Sequence, residues 1–124
     1  MTDHPALNPA HLYRHAPDLL IEAAELLTAS SGLLTNTLAG EPVDEEYARD
    51  YYLRRAVQAD RIALLPTSGD REAGHAADAA RTLAAHDRAH PHIAPAGITV
   101  PNETASDDEV RAHTRACYDA APWT

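Results

Sequence analysis

The sequence predicts an all-α fold, an antiparallel up-down bundle of four helices with a long crossover before the last one. Three observations carry this. Apolar residues recur at spacings of three and four through three long segments, no stretch alternates in the manner of a strand, and proline or glycine sits between the segments. About a fifth of the chain is Ala, all ten basic residues are Arg, and Phe is absent. At 124 residues the chain has room for one core, so 1–124 is read as a single helical domain. An Ala-rich core buries little area per residue, which makes its hydrophobic stabilisation modest.

Residues 1–8 read as a loose leader. Asn8-Pro9 has the form of a helix start, with Asn as N-cap and Pro in the first turn. Pro17 then either separates a short helix over about 9–15 from the next one or kinks a single helix. Beyond it Leu19, Ala23, Leu26, Ser30, Leu33 and Thr37 repeat at 4, 3, 4, 3, 4, and Leu20, Leu27 and Leu34 widen the stripe. This pattern predicts a core-facing helix that ends at Gly40.

A second helix is expected from near Pro42 to Leu65, with Asp44, Glu45 and Glu46 at the positive end of its dipole. It is apolar around most of its circumference, with a narrow polar strip of Asp50, Arg54, Gln58 and Arg61. Arg49 and Asp60 fall inside its apolar arc. The third helix, about 69–90, follows the Thr67-Ser68-Gly69 turn and presents Ala73, Ala76, Ala77, Ala80, Leu83 and Ala84 inward. Residues 91–105 form a Pro-punctuated connection long enough to be a place to look for function. Ser106 with Glu109 reads as a capping box for a fourth helix over about 107–120, with Val110, His113, Ala116 and Cys117 inward and Trp123 folding back as a plug.

Composition narrows the function. A net charge of −9 repels phosphate backbones, and Arg54-Arg55 is the sole adjacent basic pair, so direct nucleic-acid binding is not expected. The amino terminus lacks the basic and apolar regions of a secretory signal, and no apolar run approaches the ~20 residues that span a bilayer. Cytoplasmic residence and no membrane partner are the expectation. A lone Cys117 allows no internal disulfide and no cysteine-built zinc site. Ser30-Ser31-Gly32 and Thr67-Ser68-Gly69 lack the strand-to-helix elbow of a nucleophile, and no phosphate-binding Gly-rich loop is present.

Two chemical candidates remain. His86, His90 and His92 place imidazoles at i, i+4 and just beyond, the arrangement of a possible Zn²⁺ site with Asp87 as an additional ligand or support. Composition otherwise implies no cofactor. Asp60, a carboxylate on an apolar arc, calls for an Arg partner, with Arg49, Arg81 and Arg111 as candidates. No second carboxylate stands at catalytic spacing, which argues against an acid–base enzyme.

The segment from Tyr52 to Leu64, Tyr-Leu-Arg-Arg-Ala-Val-Gln-Ala-Asp-Arg-Ile-Ala-Leu, followed by an Ala-rich helix ending in His86-Asp87-Arg88, resembles short uncharacterised helical proteins of GC-rich actinobacteria. The resemblance covers about a third of the chain and implies no activity and no site. The expected function is therefore non-enzymatic: a small acidic helical protein that binds another protein as a regulatory or accessory factor. The alternatives are a metal- or small-ligand-binding bundle built on the His cluster, or an acidic mimic that occupies a nucleic-acid-binding protein. A homodimer is also expected, closed by an apolar patch anchored on Tyr47, Tyr51 and Trp123, with Asp60 as a further binding candidate.

Overall fold

The computed structural model describes residues 8–120, which form five helices and no strand. The plug expected of Trp123 lies outside the described residues. α1 spans Pro9–Leu12, α2 Leu19–Leu38, α3 Glu45–Ala63, α4 Asp70–Ala89 and α5 Asp107–Ala120. No helix among the described residues is long and apolar enough to cross a membrane.

The caps explain these boundaries. Asn8 Oδ1 accepts from the backbone N–H groups of Ala10 and His11, and Pro9 occupies the first turn where its missing N–H costs nothing. Of the two readings of Pro17, the separate short helix is the one observed: Asp18 caps a new helix by accepting from Leu20 and Ile21. Gly40 ends α2 at a φ of 76°, where a side chain would be strained. α3 begins later than expected: Pro42 lies ahead of it and not in its first turn, and Asp44 is the cap, its carboxylate accepting from Tyr47 N–H. Before α5, Ser106 and Glu109 exchange side chain-to-backbone hydrogen bonds at 3.0 and 3.1 Å, completing the expected box.

The core is made by α3, α4 and α5, with α1 laid against α5. Ala48, Ala56, Ala76, Ala77, Ala79, Ala80 and Ala84 are buried, and among the described residues only Leu53, Val57, Leu83 and Val110 add buried aliphatic bulk of larger size. Small side chains let the helix backbones approach closely. Each fully buried Leu or Val is worth about 1.5–3 kcal/mol, so a core with four of them holds limited hydrophobic stabilisation. Tyr13 and Tyr118 supplement it, their rings meeting edge-on with centroids 5.0 Å apart.

Contacts fix the helix directions. Glu22 and Leu19 on α2 meet Arg54 and Gln58 on α3, so the two run antiparallel. Glu45 and Arg49 at the start of α3 meet His86 and Asp87 at the end of α4, again antiparallel. The pairs Arg81–Asp107 and Asp87–His113 advance together along both chains, so α5 runs in the same sense as α4. The order is thus up, down, up, up. The connection between α4 and α5 returns the chain to the level where Asp107 meets Arg81, so the expected up-down alternation ends at α4.

The largest departure from expectation is α2. Its substantial packing is with α3 alone, and Glu22 is its one buried residue. The face carrying Leu26, Ala29, Ser30 and Leu33 is half-buried against the body, while Ala23 and Thr37 of the expected inward stripe are exposed. Arg54 draws Glu22 inward with a bidentate contact, Nη2 to Oε1 at 2.6 Å and Nε to Oε2 at 3.1 Å, and Gln58 donates to the Leu19 carbonyl at 2.8 Å. Arg54 and Gln58 of the polar strip of α3 therefore turn toward α2, while Asp50 stays exposed. The four long helices do not share one core.

Candidate functional site

Two buried carboxylates organise the interior. Asp60, near the end of α3, accepts four hydrogen bonds: from Tyr13 Oη at 2.8 Å, from Arg111 Nε at 2.8 Å, and from Arg115 Nε and Nη2 at 2.9 Å each. One carboxylate thereby ties the turn after α1 to α3 and α5. Its arginine partners come from a neighbouring helix, as expected, and Arg111 was foreseen. Arg115 and Tyr13 were not, and the other two candidates are engaged elsewhere: Arg49 with Asp87, and Arg81 with Asp107 and the Ala105 carbonyl. The hydrogen bond to Asp60 leads in raising the Arg115 guanidinium pKa, while burial pushes the Tyr13 phenol well above its ordinary range. Saturated with donors and closed from solvent, Asp60 is a structural lock with no free lone pair directed at a ligand.

Asp87 is the second hub. Arg49 reaches it from α3 through Nε to Oδ1 at 2.8 Å and Nη2 to Oδ2 at 3.2 Å. His113 reaches it from α5 through Nε2 to Oδ2 at 3.1 Å. Because a carboxylate only accepts, His113 must carry its proton on Nε2. Burial opposes the charge on Asp87, but the hydrogen bonds of His113 and Arg49 outweigh it and hold the carboxyl below the ordinary carboxylate range. Asp87 therefore faces away from His86 and His90, and the expected role beside them as a ligand or support is corrected.

Cys117 completes this group, with Sγ 3.6 Å from His113 Nε2 and 3.9 Å from Nδ1. The assembly contains the residue types of a Cys–His–Asp relay in the wrong order. A relay needs sulfur and carboxylate on opposite ring nitrogens, whereas here the nitrogen nearer the sulfur already donates to Asp87. Burial pushes the thiol up to about 11, against the lowering influence of Arg49, so the nucleophilic thiolate is scarce at neutral pH. The same three donors are close enough for a metal ion, but the Arg49 guanidinium already occupies the cationic position, contacting both Asp87 and Cys117. Cys117 is expected to react with a thiol reagent only after denaturation; rapid labelling of the native protein would contradict this arrangement.

The histidine cluster is assembled differently from the sequence expectation. His86 and His90 stack with ring centroids 4.3 Å apart, and the third donor set beside them is the carboxylate of Glu45, from the first turn of α3. His86 Nε2 lies 3.2 Å from Glu45 Oε1, and His90 Nε2 lies 3.7 Å from Oε2. His92 is exposed beyond the end of α4, its ring centroid 6.2 Å from that of His90, and it is not a member of the close group. In the sequence Glu45 presents itself only as a partner of the α3 dipole. The signal that identifies it is topological: a short turn between two antiparallel helices puts the start of α3 beside the end of α4.

Tyr47 and Tyr51 of the expected patch stand one turn apart on α3. Tyr47 is exposed, Tyr51 is half-buried with its ring 5.8 Å from that of Tyr52, and Trp123 lies outside the described residues. The exposed apolar side chains gather instead on α2, where Leu20 is 80% exposed, Leu27 71%, Leu34 59% and Leu38 80%.

Comparison with protein-family models, curated proteins and solved structures finds no match to this chain.

Proposed function

We propose that this chain is a non-enzymatic, partner-binding helical protein that docks through the exposed face of α2, and that the occupant of this face is a second copy of the chain. The observation that carries the reading is the row Leu20, Ala24, Leu27, Ser31, Leu34 and Leu38, spaced 4, 3, 4, 3, 4 and exposed along the helix. It lies one residue away from the stripe that meets α3, so α2 has two adjacent apolar faces and only one of them is covered within the described residues. Exposed large leucines at this spacing are the seam by which one helix packs along another.

Charge favours self-pairing. The chain carries a net charge of −9, yet residues 26–40 hold no charged side chain at all. Two copies can therefore meet along α2 without bringing acidic groups into register. Ala24 and Ser31 alternate with the leucines and allow the helices to come close. Tyr47, expected as an anchor, instead reaches α2 at Gly32, its hydroxyl 3.9 Å from where a β-carbon there would stand, about a third of a turn away from the leucine row. A seam of 19 residues is about 28 Å long. That length alone supplies less than the ~800 Å² per partner of a standard interface, so the dimer is a concentration-dependent one.

Sedimentation velocity from micromolar to hundreds of micromolar tests this. The wild type is expected to shift to dimer over that range, and Leu27→Glu or Leu34→Glu to weaken the dimer by roughly a hundredfold or more, since each places like charges across the symmetric seam. Both substitutions should leave the melting temperature of the monomer nearly unchanged, because the side chains are solvent-exposed there. A clean monomer at the highest concentration would exclude a second copy as the occupant.

A further inference from the structure

We propose that Glu45, His86 and His90 form a divalent-metal site of the zinc type at the junction of the α3 amino terminus and the α4 carboxyl terminus. The proposal is independent of the α2 face. A Zn²⁺ ion with bonds of about 2.0–2.1 Å in tetrahedral geometry separates neighbouring ligand atoms by about 3.3–3.4 Å. Glu45 Oε1 lies 3.2 Å from His86 Nε2 and Oε2 lies 3.7 Å from His90 Nε2, and one donor atom from each of the three residues lies within 4.8 Å of the other two, close to that separation. Two imidazoles and one carboxylate, with a water in the fourth position, are a donor set of borderline-soft first-row ions.

The hydrogen bonding of His90 points to a cation independently of these distances. Its Nδ1 lies 3.1 Å from the backbone carbonyl of His86, which can only accept, so the ring proton sits on Nδ1. In the neutral ring Nε2 is then a bare lone pair aimed at a carboxylate oxygen 3.7 Å away. Two acceptors at this distance call for a positive charge between them, which a proton on Nε2 or a metal ion supplies. A backbone carbonyl fixing the far nitrogen is also the usual support of a metal-bound imidazole, since it selects the tautomer and orients the ring.

His86 is positioned by packing. It is buried, stacked on His90, and held edge-on by Tyr52 at a centroid distance of 5.4 Å. Its Nδ1 is buried without a hydrogen-bond partner. Binding metal through Nε2 places the proton on that unsupported nitrogen, and loss of such a support typically weakens a site by about 10–100-fold. The site is therefore expected to be weaker than a fully supported zinc centre. The last carbonyls of α4 add a favourable negative dipole end for a cation.

The test uses the full-length chain, freed of any affinity tag, titrated with Co²⁺ and followed by visible absorption and calorimetry. One Co²⁺ per chain with the intense spectrum of tetrahedral coordination is expected. Glu45→Gln and His90→Ala, both at partly exposed positions, should each weaken binding by about 100-fold or more, whereas His92→Ala should leave it within a few-fold. Competition by Zn²⁺ should bleach the cobalt spectrum. Absence of stoichiometric binding, a weak octahedral spectrum, or binding that survives Glu45→Gln and His90→Ala would each overturn the site.

Discussion

Asp60→Ala is expected to destabilise the fold by about 3–5 kcal/mol, the cost of removing one partner from a buried ion pair and leaving the other charge uncompensated. Here the orphaned groups are two guanidiniums and a phenol, on α5 and in the turn after α1. The loss is a large share of the ~5–15 kcal/mol that a domain has in total. Urea unfolding followed by circular dichroism measures it. The effect should exceed that of Arg111→Ala, because Asp60 retains Arg115 and Tyr13 when Arg111 is removed. An Asp60→Ala variant with wild-type stability would mean that the four hydrogen bonds are not formed in solution. Substituting Asp60 and both arginines together by apolar residues tests the complementary point: a buried ion cluster fixes one packing arrangement more than it adds net stability.

Much of the fold was legible because local chemistry marks helix ends. Asn8, Gly40, Ser106 and Glu109 each act at the boundary that the sequence assigns them, whereas the caps Asp18 and Asp44 emerge only in the structure. The partition of α2 was not legible. Its leucines occupy two adjacent faces, and periodicity reports that a helix is amphipathic without reporting which half of a wide stripe is covered. The deciding residue was Glu22, a carboxylate that reads as solvent-facing until Arg54 on another helix supplies its partner. A short turn between α2 and α3 predicts antiparallel neighbours and was right. The expected alternation does not extend to α5, because a long connection does not constrain the direction of the helix after it and the contact pairs set α5 parallel to α4.

The candidate sites divide along the same line. Asp60 stood out because an acid on an apolar arc needs a partner, and burial with arginine is what the structure contains. Arg49, equally out of place on that arc, proved to serve a different acid, Asp87. The i, i+4 spacing of His86 and His90 is a helix property and brought those rings together as read. His92 lies past the end of α4, where Pro91 redirects the backbone, and Glu45 is far away in sequence. Spacing within one helix is visible in a sequence, whereas a donor contributed by a neighbouring helix depends on register between the two.

Asp87→Asn is expected to cost about 1.5–3 kcal/mol at neutral pH, the value of hydrogen bonds to a charged group, and to change the shape of the acid limb of stability. The folded carboxyl lies below its ordinary value of about 3.9, so the native state binds this proton less readily than the unfolded chain. Its contribution is therefore fully present above the unfolded value and is lost as pH falls through the folded one. Stability measured by urea midpoints between pH 7 and pH 2 should decline more steeply below pH 4 in the wild type than in Asp87→Asn, and the two curves should converge at the acid end. Arg49→Met provides the matching control. It removes the strongest cationic partner while leaving the His113 hydrogen bond, so its folded-state carboxyl should titrate nearer the ordinary value and flatten the same limb in part. Parallel curves for wild type and Asp87→Asn would show that this carboxylate titrates alike in the folded and unfolded chain, and would place the acid sensitivity of the protein elsewhere.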